Sequence, residues 1–202
     1  MTDRLPATAE GLAAATALLQ GGALVAFPTD TLYGLACRAG DEEALARIFA
    51  AKRRPTDKLV PMLAASLEQA EAQGYLVDER ARVVARRWWP GPLTLVLAPA
   101  RPGRSTQGFR VPDHPIALEL IRRSGPLPTS SANRSGEPEA FDADDVLVAF
   151  ADVDLVAAVI DGGRVRGGVA STVVDLSVTP AIVRRDGPVT REQLAELIGL
   201  VD

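Results

Sequence analysis

The sequence predicts an α/β fold: a single domain in which a mixed sheet is covered by helices. Three observations carry that expectation. Short apolar runs of strand character alternate with capped, amphipathic stretches from one end of the chain to the other. Glycine and proline punctuate the junctions, as in the double glycine before Ala23 and the turn Pro90-Gly91-Pro92. No internal repeat or low-complexity linker divides the 202 residues, so one domain over 1–202 is expected.

Residues 12–19 form an alanine-rich helix stopped by Gly21-Gly22. Residues 23–27 are a buried strand that breaks at Pro28-Thr29-Asp30-Thr31, and 32–36 a second one. Asp41 caps a helix with Glu42 and Glu43 in its first turn; Leu45, Ile48 and Phe49 supply the apolar stripe, and Pro55 stops it. Residues 59–64 read as a strand. Ser66 and Asp78 cap the next two helices, the second running to Trp88-Trp89, which read as packing residues. An apolar run follows at 93–97, then a Pro/Gly-rich stretch, a strand at 109–111 and a helix at 115–123. Residues 127–129 are a brief strand ending in a polar loop, 142–150 a helix and 153–160 a strand. Residues 171–176 and 181–184 pair as a hairpin, and Thr190 caps the closing helix.

Composition narrows the chemistry. Hydrophobic residues at 47% and charged residues at 24% are near the globular average, which excludes wholesale disorder. Aromatics at 4% argue against a broad stacking platform for single-stranded nucleic acid, and a net charge of -4 against a chain built mainly to grip phosphate backbone. One cysteine, Cys37, leaves no disulfide framework or cysteine-based metal cluster, and one histidine, His114, leaves no His-rich metal site. Cys37 reads as a core thiol and His114 as a turn or cap residue. The first ten residues carry no signal-peptide pattern, and no apolar run reaches the ~18 residues of a membrane span, so a cytoplasmic protein is expected.

Four polar loops sit where apolar elements end. In Pro28 to Leu35, two hydroxyls and a carboxylate fall between two strands, either as a capped turn or as a ligand site at strand ends. Lys52-Arg53-Arg54-Pro55, with Lys58 beyond, offers helix-dipole partners or cations converging on an anion. Pro128 to Gly136 supplies small donors for either a surface turn or a close approach to an anion; it lacks the P-loop pattern. Gly167 and Gly168 permit a tight approach before Ser171-Thr172, and Arg185 is either a solvated cation before a turn or a second cation facing the same cavity.

Seven segments, FPTDTLYGLAC, KRRPTDK, WWPGPLT, FRVPDHP, PTSSANRSG, ASTVVDL and RRDGPV, resemble in order those of the YrdC-like threonylcarbamoyl-AMP synthases, from about Val25 to Val189. That family acts in making the tRNA modification N6-threonylcarbamoyladenosine. Its signature pairs a K-x-R with an S-x-N, matched here by Lys52/Arg54 and Ser131/Asn133. One departure stands out: Leu59 follows Lys58 where many members have Lys-Pro-Leu. The chain is read as the short, single-domain form, without the additional C-terminal domain of longer members.

The resemblance implies the family's twisted, mixed α/β open sheet with flanking helices, and a reaction joining L-threonine, bicarbonate or CO2, and ATP, with Mg²⁺ riding on the phosphates and no dedicated metal site. It implies Lys52 and Arg54 at the carboxylate, carbamate and phosphate, Thr31 and Ser171 on the threonine side, and Arg110, Ser131, Asn133 and Arg185 for ATP. Downstream threonylcarbamoyl transferase proteins are the implied partners. Two rival functions are an RNA- or tRNA-binding module with a basic rim of Arg53, Arg54, Arg86 and Arg87, and a carbamoyl-AMP-forming domain of hydrogenase-maturation type. The zinc-finger-like and acylphosphatase-like segments of the latter are absent here.

Overall fold

A computed structural model describes residues 1–53, 55 and 59–200. In chain order the elements are β1 (Asp3–Pro6), α1 (Ala9–Gln20), β2 (Leu24–Pro28), β3 (Tyr33–Ala36), α2 (Glu42–Lys52), β4 (Met62–Leu63), α3 (Leu67–Ala72) and α4 (Glu79–Trp88). They continue with β5 (Leu93–Leu97), β6 (Gln107–Arg110), α5 (Pro115–Ser124), β7 (Leu127–Ser131), α6 (Ala143–Ala149), β8 (Val156–Asp161), β9 (Thr172–Asp175), β10 (Ile182–Arg185) and α7 (Arg191–Ile198). Among the described residues the strands form one mixed sheet in the order β1-β8-β2-β3-β7-β4-β6-β5-β9-β10.

Local chemistry accounts for the helix starts. Thr8, Asp41, Asp78 and Asp142 each cap a helix through a side-chain oxygen, and Thr190 forms a full capping box with Gln193. Ser66 stands at the N-cap of α3 without a side-chain bond. The expected α/β elements all exist, with three differences. β1 was not anticipated: its residues lack an apolar run, and it forms because β8 offers a parallel edge, Arg4 opposite Val159. The strand expected over 59–64 shortens to two residues between β6 and β7, with Leu59 at 62% exposure. The polar loop expected after residue 129 is still strand, because Ser130 and Ser131 pair with Leu35 and Gly34.

The sheet has two halves. In β2 every residue is buried: Leu24 and Ala26 pack on one face with α2 and α6, while Val25 and Phe27 pack on the other with α1 and α5. In the β6-β5-β9-β10 half, helices α3, α4 and α7 cover one face only. Leu93, Leu95, Leu97, Phe109, Val174 and Val183 point into that core. Their alternating neighbours Thr94, Val96, Gly108, Arg110, Val173 and Asp175 face the other way, into a cleft.

Candidate active site on the open face of the sheet

The cleft holds about 640 Å³, within the range that takes a small-molecule ligand. Its floor is the uncovered face of β5, β6 and β9. Its walls are the turn from Thr29 to Tyr33, the β7 end from Thr129 to Ser131, and the segment entering β9 at Ala170 and Ser171.

Thr29 builds the first wall. Its hydroxyl donates to the Leu32 carbonyl at 2.6 Å, and its oxygen receives the Thr31 amide at 3.2 Å. This fixes Thr31 Oγ1 at 3.1 Å from Thr29 Oγ1, where it accepts from Arg110 Nη1 at 2.9 Å. Arg110 donates further from Nη2 to Asp30 at 2.5 Å and from Nε to the Gly91 carbonyl at 3.1 Å. Burial pushes the Arg110 pKa down, and the adjacent Asp30 carboxylate pulls it back up by charge and hydrogen bond.

Arg185 faces Arg110 from the other end. A bulge between Val183 and Arg185 turns both Arg184 and Arg185 into the cleft. Arg185 donates from Nε to the Ser171 carbonyl at 2.9 Å and from Nη2 to Ser171 Oγ at 3.1 Å. Its pKa is lowered first by burial and then by the like charge of Arg110. Among the described residues it forms no ion pair. Arg184, by contrast, donates to Asp175 Oδ2 at 2.8 and 3.1 Å, and Ser177 donates to the other Asp175 oxygen at 2.5 Å.

Two glycines let these pieces meet. A Cβ on Gly167 would lie 2.1 Å from the Thr31 carbonyl oxygen, and one on Gly187 would lie 2.4 Å from the Thr172 amide. Gly168 has nothing within 4 Å of such an atom, so the tight approach expected of both glycines belongs to Gly167 alone.

Of the residues expected from the sequence, Thr31, Arg110, Ser131, Ser171 and Arg185 line this cleft. Lys52 and Asn133 do not line it but stand behind the β7 end. The buried Lys52 ammonium donates to the Ser131 and Asn133 carbonyls and lies 3.3 Å from Ser131 Oγ. The Asn133 amide donates to the Glu137 carbonyl at 2.8 Å. Arg54 and Lys58 lie outside the described residues. Sequence reasoning missed Thr94, whose hydroxyl is 2.9 Å from Ser171 Oγ, and the pairing of Arg110 with Asp30. The signal for Thr94 was the alternation Leu93-Thr94-Leu95-Val96-Leu97, where it is the one polar residue. The Asp30 pairing spans 80 residues and leaves no local trace.

The remaining candidates fall elsewhere. Cys37 is buried in the core, and burial pushes its thiol up to about 12, so it is not a thiolate at neutral pH. His114 stands at the N-cap of α5; burial lowers its pKa against the pull of Asp30 and Asp113. Of the rim arginines, Arg54 lies outside the described residues and the other three already have partners. Arg53 pairs with Asp152 at 3.5 Å, whereas Arg86 pairs with Glu79 at 3.0 Å and Arg87 stacks on Trp88, both on α4. No described helix is long and apolar enough to cross a membrane.

The family model described as "Telomere recombination", Sua5–YciO–YrdC, matches residues 17–187. A protein of Pyrococcus abyssi named threonylcarbamoyl-AMP synthase is 42% identical over 193 residues, covering 92% of this chain and 56% of its own length. One of Bacillus subtilis with the same name is 39% identical over 210 residues, covering 98% of this chain and 60% of its own. The chain thus spans between half and two-thirds of these curated relatives. The crystal structure of P. abyssi Sua5 complexed with L-threonine superposes with a TM-score of 0.88 at 38% identity, covering the whole of this chain and 62% of that one. With the ordered segments, the sheet and the matched relatives in agreement, the chain belongs to the Sua5–YciO–YrdC family.

Proposed function

We propose that this chain is an L-threonylcarbamoyladenylate synthase, a nucleotidyltransferase that forms threonylcarbamoyl-AMP and pyrophosphate from L-threonine, bicarbonate or CO2, and ATP. It would act in the cytoplasm and supply downstream transferases that modify tRNA. The observation that carries this reading is the meeting of two guanidinium–hydroxyl pairs, Arg110–Thr31 and Arg185–Ser171, on one open face. That set suits a reaction that gathers anions and needs no covalent nucleophile on the enzyme.

In the proposed reaction the threonine amine attacks CO2; an N–C bond forms and the nitrogen loses a proton. A carbamate oxygen then attacks the α-phosphorus of ATP, an O–P bond forms, and the bond to the β-phosphate breaks to release pyrophosphate. Thr31 and Ser171 would hold threonine, while Arg110, Ser131, Asn133 and Arg185 would serve ATP. Lys52 and Arg54 would offset charge at the carbamate and phosphorus, Lys52 by fixing the β7 end and lending its charge from behind. Mg²⁺ would arrive with ATP as part of the substrate. The described residues contain no group of three or more His, Cys, Asp or Glu able to hold a metal ion, and Asp175 in the cleft is already paired with Arg184.

The test is pyrophosphate release by the purified chain, expected only when ATP, threonine and bicarbonate are all present; equal release without threonine overturns the reading. A site that reads the hydroxyl also sets an order of amino acids. Serine loses only methyl contacts and should fall roughly 10- to 200-fold in kcat/KM, while valine, which leaves the polar groups of the site unpaired, should fall further. Valine turning over as well as serine would make Thr31 and Ser171 structural.

A further inference from the structure

We propose that Thr94 is a positioning residue of this site, one that sets the direction of the Ser171 hydroxyl so that its proton is available to the hydroxyl oxygen of a threonine ligand in the cleft. The proposal rests on the synthase reading above.

Ser171 has one proton and two lone pairs. Arg185 can only donate, so the contact from Nη2 at 3.1 Å occupies one Ser171 lone pair. The second neighbour is Thr94 Oγ1 at 2.9 Å, and either oxygen can be the donor. When Thr94 donates, both acceptor positions of Ser171 are filled and its own proton turns into the cleft. When Ser171 donates, that proton is lost to the ligand. An incoming threonine hydroxyl that accepts a hydrogen bond favours the first arrangement, and Thr94 makes it available without leaving a buried oxygen unpaired.

The fold holds Thr94 in the required rotamer. Thr94 is 4% exposed and lies opposite Val173 of β9, while the pairing of Leu95 with Phe109 sets it beside Arg110 of β6. Its methyl group faces Gly108: a Cβ built there would stand 3.2 Å from Thr94 Cγ2. With the methyl seated over the glycine, the hydroxyl is directed to Ser171. A threonine is therefore anchored on one branch and acts through the other, which serine cannot do and valine can only half do.

The experiment compares Thr94→Val, Thr94→Ser and wild type by threonine binding in calorimetry, by KM and kcat for pyrophosphate release, and by apo melting temperature. Thr94→Val is expected to weaken threonine binding and raise its KM by roughly 3- to 10-fold, the effect of one neutral hydrogen bond. The KM for ATP and the apo melting temperature should stay near wild type. Thr94→Ser should recover part of the loss. Gly108→Ala, which keeps the Thr94 hydroxyl group but crowds its methyl and so turns the hydroxyl away from Ser171, should shift the threonine KM in the same direction. If wild type binds threonine and Thr94→Val binds it equally well, the positioning role is overturned and the synthase reading stands. If wild type neither binds threonine nor releases pyrophosphate with it, both fall together.

Discussion

The two halves of the sheet differ both in strand pattern and in helix cover. The β1-β8-β2-β3-β7 half carries helices on both faces and uses runs such as Leu24-Val25-Ala26-Phe27, apolar on either side. The β6-β5-β9-β10 half is covered once and uses alternating strands, leaving Thr94, Arg110 and Asp175 on the bare face. The lesson is that polar chemistry collects where a helix layer is missing. The covered half supplies the rigid Thr29–Tyr33 turn that closes the cleft. The two site arginines divide accordingly. Arg110 ties the open half to Asp30 of the covered one, while Arg185, on the edge strand, keeps a guanidinium that pairs with no carboxylate among the described residues.

The largest effect should come from cutting the tie. Arg110→Gln leaves the Asp30 carboxylate, whose side chain is 14% exposed, without its counter-charge, which costs about 3–5 kcal/mol. Urea unfolding measures it, and a loss below 1 kcal/mol would show that the halves hold together without this pair. Next in size are the close approaches. Gly167→Ala forces a Cβ against the Thr31 carbonyl and Gly187→Ala one against the Thr172 amide, so each should cost about 1–3 kcal/mol and lower activity by displacing Thr31 or Ser171. Gly168→Ala should be silent in both melting and turnover.

The smallest effect is acid sensitivity. Burial works to raise the Asp175 pKa, but hydrogen bonds from Ser177 and Arg184 outweigh it and hold the carboxyl below its ordinary value. A carboxyl with a depressed folded-state pKa stabilises the fold at neutral pH, and that contribution fades as pH falls below roughly 4 toward the depressed value. The wild-type melting temperature should therefore drop more steeply below pH 4 than that of Asp175→Asn. Parallel curves would show that the Asp175 carboxyl titrates alike folded and unfolded.

How far the sequence foretold this depends on distance along the chain. Caps, strand periodicity and glycine stops act within a few residues, so α2, α4, β5 and the β9–β10 hairpin could be read directly. The polar segments bearing Thr31, Ser131 and Ser171 are legible because small polar residues interrupt apolar runs, and Arg185 because it ends one before a glycine-proline turn. The partners that decide what each residue does are not. Asp30 with Arg110, Lys52 with the Asn133 carbonyl and Gly167 with Thr31 are contacts across the sheet, set by strand order rather than by local pattern. β1 was missed for the same reason, since its pairing with β8 spans most of the chain.

The proposal to be tested is that the open face binds the anionic substrates through Arg185 and Arg110, and that Arg110 in addition holds the two halves together. The most direct test is the melting temperature of Arg185→Gln and Arg110→Gln, each with and without saturating ATP and threonine. A ligand that binds only the folded state raises Tm in proportion to its binding free energy. Arg185→Gln should melt within about 3 °C of wild type without ligand, about 1 kcal/mol for a chain of this size, and lose most of the ligand-induced rise. Arg110→Gln should melt roughly 6–20 °C lower with no ligand present. A full ligand-induced rise in Arg185→Gln, or an unchanged ligand-free Tm in Arg110→Gln, would contradict the account.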